Sequence, residues 1–308
     1  LHNTRPSLFF LYLAIAGGIL AVSTAAIFIR YAQQDAPSLV IAAMRLSLAS
    51  MILAPVAWFR YRDELRALTR PALGLGLLSG FFLALHFATW ISSLEFTSVA
   101  SSVVLVSTTP LWVAILSPLF LRESPSRATI LGLVLALFGG TVVGLSEACA
   151  WENGLTCPPL AEFTRGEAFM GNFLALCGAW MGAGYLTIGR RLREKMSLIP
   201  YIFMVYGMAA VVLLGIMLAF GQSPLGYPPL VYVWMLMLAL VPQLLGHSTF
   251  NWALRYLPAS FVAVTLLGEP IGSTILAFVI LNESPSALEI GGGLLILAGI
   301  YVASRVEP

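Results

Sequence analysis

Leu121-Arg122-Glu123-Ser124-Pro125-Ser126 returns 160 residues later as Leu281-Asn282-Glu283-Ser284-Pro285-Ser286. The chain around it keeps the same offset without a gap. Leu94-Glu95-Phe96 matches Leu254-Arg255-Tyr256, Pro110 matches Pro270, and Gly132 and Gly139 match Gly292 and Gly299. Long apolar runs fill the space between these landmarks, so the repeated unit is a set of membrane helices. A duplicated membrane unit with proline at the same place in the same helix of both copies points to a transporter whose site lies between the halves.

Composition agrees. Of 308 residues, 59% are hydrophobic and 10% charged, whereas soluble domains carry about 25% charged residues; mean hydropathy is +0.92. Ten apolar runs of about 20 residues fit the ~30 Å hydrocarbon core when helical. They lie near 8–29, 38–59, 71–93, 98–121, 128–146, 168–189, 198–220, 230–252, 259–281 and 288–304. The expected fold is an all-α integral membrane protein of ten transmembrane helices. Five per copy is an odd number, so the second copy enters from the opposite side and the repeats are inverted around a central cavity. The expected domains are a first repeat at 8–146, a loop at 147–166 and a second repeat at 167–304. A removable signal peptide is not expected, because the first run is long enough to span.

Charge sets the orientation. With the N-terminus cytoplasmic, the inner face collects Arg5, the Arg60/Arg62/Arg66/Arg70 cluster, Arg122, Arg127, the Arg190/Arg191/Arg193/Lys195 cluster, Arg255 and Arg305, and the outer face keeps Arg30 and Arg165. The positive-inside rule then places both termini in the cytoplasm. A net charge of +2 is too small to suggest nucleic acid. Of the three cysteines, Cys177 reads as a packing residue in helix 6. Cys149 and Cys157 fall in or beside the outer loop, where they either pair as a disulfide or remain free thiols.

Ser92-Ser93-Leu94-Glu95-Phe96-Thr97-Ser98-Val99-Ala100, Thr109-Pro110-Leu111, Leu119-Phe120-Leu121-Arg122-Glu123 and Gly132 to Gly140 resemble the repeated unit of the drug/metabolite transporter superfamily, in its ten-helix EamA-type branch. Ala253 to Ser260, Gly268-Glu269-Pro270 and Leu281-Asn282-Glu283 resemble it again. The resemblance covers essentially the whole chain. It implies inverted five-helix repeats around a central cavity and export of small metabolites such as amino acids. The aromatic-rich chain and long fifth-to-sixth loop look most like the aromatic and neutral amino-acid exporters of bacterial inner membranes. The loop itself departs from the family's usual short connection.

Candidate site residues follow from what is costly in a membrane. Pro110 and Pro270, near the middle of helices 4 and 9, each remove a backbone donor and disturb the carbonyls of Val106 and Leu266. Freed backbone groups are tolerable where they face protein or a wet cavity, so these helices read as cavity walls; the alternative is a packing kink. Ser107, Thr108 and Thr109 offer hydroxyls to a substrate or to helix carbonyls. Glu269, beside Pro270, costs at least ~2.5 kcal/mol at mid-membrane. It therefore binds a substrate amine or proton, or serves as structural partner to Arg45 or to backbone groups. Arg45, about two turns into helix 2, reads as an ion-pair member, a snorkelling anchor or a carboxylate ligand. His86 and Trp90 share one face of helix 3, as do His247 and Asn251 on helix 8. Each face is a cavity lining or ordinary core. Trp180 and Tyr185 on helix 6 are further aromatic candidates, whereas Tyr12 reads better as an interfacial belt residue.

The leading expectation is alternating-access export of amino acids, larger neutral and aromatic ones favoured, and related metabolites. Helices 3–4 and 8–9 would rock against 1–2 and 6–7. The rival within the class is a drug or sugar/nucleotide exporter, and the remote rival a membrane-embedded enzyme. No HExxH, GxSxG, catalytic carboxylate pair or metal-ligand cluster lies in the spans, so no catalytic residue, metal or cofactor is expected. Without a P-loop, no ATPase activity or ATPase partner is implied, and the expected partners are a small-molecule substrate and membrane lipid.

Cysteines introduced beside Arg66 and beside Asn153 should be labelled by an impermeant thiol reagent from opposite faces of the membrane. Labelling of both from one face would overturn the topology.

Overall fold

The structure is a computed structural model that describes residues 6–121, 126–146, 150–151, 155–156 and 166–304. Cys149 and Cys157 lie outside the described residues. Besides a short helix at Arg62–Arg66, the described residues form ten long helical rods in sequence: α1 (Leu8–Gln33), α2 (Ser38–Arg60), α3 (Arg70–Ser93), α4 (Val99–Phe120), α5 (Arg127–Leu145), α6 (Glu167–Arg193), α7 (Leu198–Ala219), α8 (Pro229–Ala253), α9 (Ala259–Leu281) and α10 (Ala287–Ser304). Seven of them, α1–α4 and α7–α9, combine a spanning length with mean hydropathies of 1.7–2.1 in the first group and 1.8–2.5 in the second. The rods α5 and α10 carry shorter apolar stretches, and α6 is the longest single helix, with Arg190, Arg191 and Arg193 in its last turn. Among the described residues the one strand pairing is a minimal antiparallel contact of Ala150–Trp151 with Leu155–Thr156.

The outer surface of the bundle is apolar. Phe9 is 78%, Phe59 85% and Leu119 74% exposed, which no water-facing surface of this extent sustains but hydrocarbon accommodates at no cost. Inside, the broadest contacts join α5 to α10, α3 to α6 and α2 to α7. The α1–α8 contact repeats the α3–α6 one in the other half.

The α5–α10 crossing shows that the halves are inverted. A Cβ on Gly139 would lie 2.5 Å from the Gly292 carbonyl oxygen, and one on Gly292 would lie 2.6 Å from that of Gly139. A Cβ on Gly299 would fall 2.5 Å from the carbonyl of Gly132. As residue numbers rise along α5 they fall along α10, so the helices are antiparallel. The 160-residue offset converts the Gly139–Gly292 contact into the Gly299–Gly132 contact, which is the signature of a two-fold axis through the crossing. In lipid, where apolar burial does not drive helices together, such backbone approach supplies the packing.

The same symmetry appears at the helix ends. Arg30 Nη1 donates to the Leu94 carbonyl and Arg190 Nη1 to the Leu254 carbonyl, 160 residues on. Each arginine thus satisfies orphan carbonyls at the C-terminal end of α3 or α8, where a cation also complements the helix dipole. The Glu-Ser-Pro-Ser turn between α9 and α10 is a tie as well. Glu283 accepts from the Val99 amide at 3.0 Å and pairs with Arg30 at 3.2 Å. Ser286 and Glu289 form a reciprocal capping box at the start of α10, and Glu289 also accepts from Ser98 and Ser101.

Gly292→Ala should lower the thermal unfolding temperature of detergent-purified protein by several degrees, the result of about 1–3 kcal/mol of overpacking against a backbone that cannot yield. Gly291→Ala, whose Cβ meets nothing within 4 Å, should be neutral or slightly stabilising. Equal effects of the two would refute the close crossing.

Candidate functional site

Two helices that cannot remain continuous build the centre of the bundle. In α4 the α-helix ends at Val106, turns over Ser107 and Thr108, and resumes at Thr109 with Pro110 in its first turn, where the missing N–H is not needed. The Thr109 hydroxyl donates to the Val106 carbonyl at 2.8 Å, replacing the bond that Pro110 cannot make. In α9 the helix ends at Thr265 and restarts at Gly268, with Glu269 in the new first turn. The Glu269 amide donates to the Leu266 carbonyl at 3.0 Å. A helix start at mid-membrane presents free N–H groups and the positive end of a dipole, and this makes an otherwise costly carboxylate tolerable there.

Between these breaks lies a cavity with about 590 Å³ of empty space, its mouth included. His86 and Trp90 enter from α3, Val106, Ser107, Thr109 and Pro110 from α4, and Gly182, Tyr185 and Leu186 from α6. His247 and Phe250 come from α8, and Leu266 and Glu269 from α9. Three wall pairs are related by the 160-residue offset: Trp90 with Phe250, Val106 with Leu266, and Thr109 with Glu269. The repeat axis therefore passes through the cavity. Its shape is shared between the halves, and its charge comes from the second.

Polar groups in the wall are incompletely paired. His86 Nδ1–H donates to the Gly178 carbonyl at 2.8 Å, which leaves Nε2 as an acceptor in the neutral ring. The His86 ring stacks on Trp90 at 6.0 Å and meets His247 at 6.5 Å. Trp90 Nε1 is buried without an acceptor. Among the described residues, the Glu269 carboxylate has no hydrogen-bond or ion-pair partner, and it is only partly covered.

Several sequence candidates fall elsewhere. Thr108 turns its hydroxyl to the Leu105 carbonyl at 2.8 Å and receives Trp112 Nε1, so Thr109, not Thr108, faces the cavity. Trp180 is 37% exposed on the outside of α6, edge-on to Trp112 and Phe173, because its position on the helix points away from the axis. Asn251 lies behind the wall. It accepts from the Tyr185 hydroxyl at 2.7 Å and donates to that of Tyr206 at 3.3 Å, fixing Tyr185 in place. Pro270 is buried beside the cavity without lining it. Tyr12 is 52% exposed, as a belt residue is.

Arg45 departs furthest from expectation. It is fully buried, and no described carboxylate lies within ion-pair distance. Its Nε donates to Gln243 Oε1 at 2.8 Å, and its Cζ lies 4.1 Å from the centre of the Phe87 ring. A desolvated cation–π contact gives about 2 kcal/mol and a hydrogen bond to a charged group about 1.5–3. Burial of the ion costs several.

Sequence reasoning passed over Gln243, Tyr206, Phe250 and Gly182. Phe250 was available from the repeat, as the counterpart of Trp90. Gln243 was available as a polar residue in the middle of a span, next to Pro242 in a π-helical stretch, Ala239–His247; such stretches often mark functional sites.

The sequence model of the EamA-like transporter family matches the chain twice, over residues 9–145 and 169–305. An uncharacterised transporter of Archaeoglobus fulgidus is 23% identical over 301 residues, covering 96% of this chain and 98% of its own length. A pseudopaline exporter of Pseudomonas aeruginosa is 24% identical over 242 residues, covering 78% of each chain. A solved crystal structure at 18% identity superposes with a TM-score of 0.69 over 97% of each chain, a likeness of fold alone.

Proposed function

This chain belongs to the EamA-like transporter family and is a membrane transporter rather than an enzyme, and on that premise we propose that it exports amino acids, larger neutral and aromatic ones foremost, by alternating access. The observation that carries the reading is the composition of the cavity: a mostly apolar, aromatic wall holding one unpaired carboxylate. A zwitterion moved to mid-membrane loses hydration, and its ammonium then needs an acceptor. Glu269 provides one, and the second lone pair of the Leu266 carbonyl lies on the same break. Trp90, Phe250 and Tyr185 offer flat surface to an apolar side chain. The pseudopaline exporter among the relatives supports metabolite export in general, and the choice of amino acids rests on the cavity.

In this reading α3–α4 and α8–α9 rock against α1–α2 and α6–α7, opening the cavity to each side in turn. The protein sits in a bacterial inner membrane with both termini cytoplasmic, an orientation that rests on the arginine asymmetry. Nucleotide export would call for cations in the wall, whereas Arg45 lies behind it.

In proteoliposomes loaded with labelled phenylalanine, Glu269→Gln should slow transport about ten- to a hundredfold, the value of a hydrogen bond to a charged group, while the protein stays monodisperse in detergent. His86→Ala and Trp90→Ala should instead reorder preference within an amino-acid panel, aromatic substrates losing most. Unchanged transport by monodisperse Glu269→Gln protein would remove that residue from the site. A wild-type protein that moves no amino acid would overturn the substrate reading.

A further inference from the structure

Arg45, on α2, and Gln243, on the π-helical stretch of α8, are both fully buried. Gln243 Oε1 accepts from Arg45 Nε, which fixes the amide and turns Gln243 Nε2 into its other arm. Arg45 Nη1, Arg45 Nη2 and Gln243 Nε2 have no acceptor among the described residues. Three donor nitrogens of one hydrogen-bonded pair, all out of reach of bulk water, thus stand around a single positive charge without an acceptor among the described residues. That pattern is unlike a core network, where donors and acceptors alternate.

No described carboxylate reaches ion-pair distance of the cluster. Phe87 from α3 covers one face of the guanidinium. His86 from α3, Tyr206 from α7 and His247 from α8 lie around it. Glu269 from α9 is the acidic group that faces it, beyond ion-pair distance, and compensates its charge in part. Water molecules would satisfy the N–H groups but would not complete that compensation in a low-dielectric interior. A small monovalent anion does both. Lysine or histidine would offer a single point or ring edge, whereas a guanidinium with an adjacent amide presents several parallel donors suited to a carboxylate or halide.

We propose that Arg45 and Gln243 form a buried anion site for a carboxylate or halide ion, set behind the cavity wall and screened from it by the Phe87 ring. Phe87 also meets His247, a cavity-wall residue, at 5.3 Å, so a single layer of rings stands between the site and the cavity. If the anion is the carboxylate of the substrate, the site complements Glu269 at the opposite charge; that arm rests on the amino-acid reading, and the halide arm does not.

The test is thermal unfolding of the detergent-purified protein in sodium gluconate, whose anion is too bulky for the site, with additions. Chloride at ten times its Kd should raise the unfolding temperature of the wild type by about 2 °C. Gln243→Glu, which tethers a carboxylate beside Arg45, should be as stable in gluconate as the wild type in chloride and should no longer respond. A silent chloride titration combined with stabilisation by phenylalanine, absent with phenethylamine and absent in Gln243→Glu, would assign the anion to the substrate's carboxylate. A wild type indifferent to chloride, acetate and phenylalanine, or a Gln243→Glu protein with the full wild-type response, would overturn the proposal. A Gln243-dependent chloride effect in a protein that moves no amino acid would uphold the site and remove the substrate reading alone.

Discussion

In hydrocarbon a backbone N–H or C=O without a partner costs several kcal/mol, because no water is present to take it. This constraint turns each apolar run of the chain into an unbroken helix wherever the sequence permits, and it makes every interruption conspicuous. Three of the interruptions, at Ser107–Pro110, at Leu266–Pro270 and in the π-helical stretch Ala239–His247, contribute residues to the wall of the central cavity. Each has its own repair. A threonine hydroxyl takes the Val106 carbonyl, the Glu269 amide takes that of Leu266, and a π-helical turn absorbs Pro242. The irregular backbone lies in the interior of the bundle because lipid would not accept it.

Inverted duplication explains the shape of this interior, and divergence between the copies explains its chemistry. Equivalent contacts repeat across the axis at Gly139–Gly292 and Gly132–Gly299, and equivalent residues line the cavity as the pairs Trp90/Phe250 and Val106/Leu266. The chemically distinctive positions break the relation. Thr109 stands opposite Glu269, Phe87 opposite His247, Leu83 opposite Gln243 and Arg45 opposite Val205. A symmetric scaffold with an asymmetric lining can open equally to both sides and still hold an asymmetric solute in one orientation.

Charge is distributed with the same economy. At the two ends of the bundle, arginines and glutamates cap helix termini and each other, as in Arg30 with Leu94, Thr97 and Glu283, where partial hydration keeps the desolvation cost low. In the middle, Glu269 and Arg45 are not joined as an ion pair among the described residues. A direct pair would satisfy both residues and leave little to offer a solute. Apart, each retains hydrogen-bonding capacity at mid-membrane depth.

The sequence by itself determined the class, the number of spans, the inversion of the halves and the two broken helices, since hydropathy, an odd helix count and the repeated proline are properties of the chain read along its length. It also brought His86, Trp90, Ser107, Pro110, Tyr185, His247 and Glu269 to attention, each as an expensive or amphipathic residue deep in a span. Tertiary structure alone decided which face each residue presents. Thr108 and Trp180 turn away from the axis, Asn251 supports the wall from behind, and Arg45 meets Gln243 and Phe87 instead of a carboxylate. In a soluble helix the apolar stripe reveals the buried face. In a membrane helix both faces are apolar, so the rotation of the helix about its own axis leaves almost no trace in the sequence and is set by the neighbours it packs against.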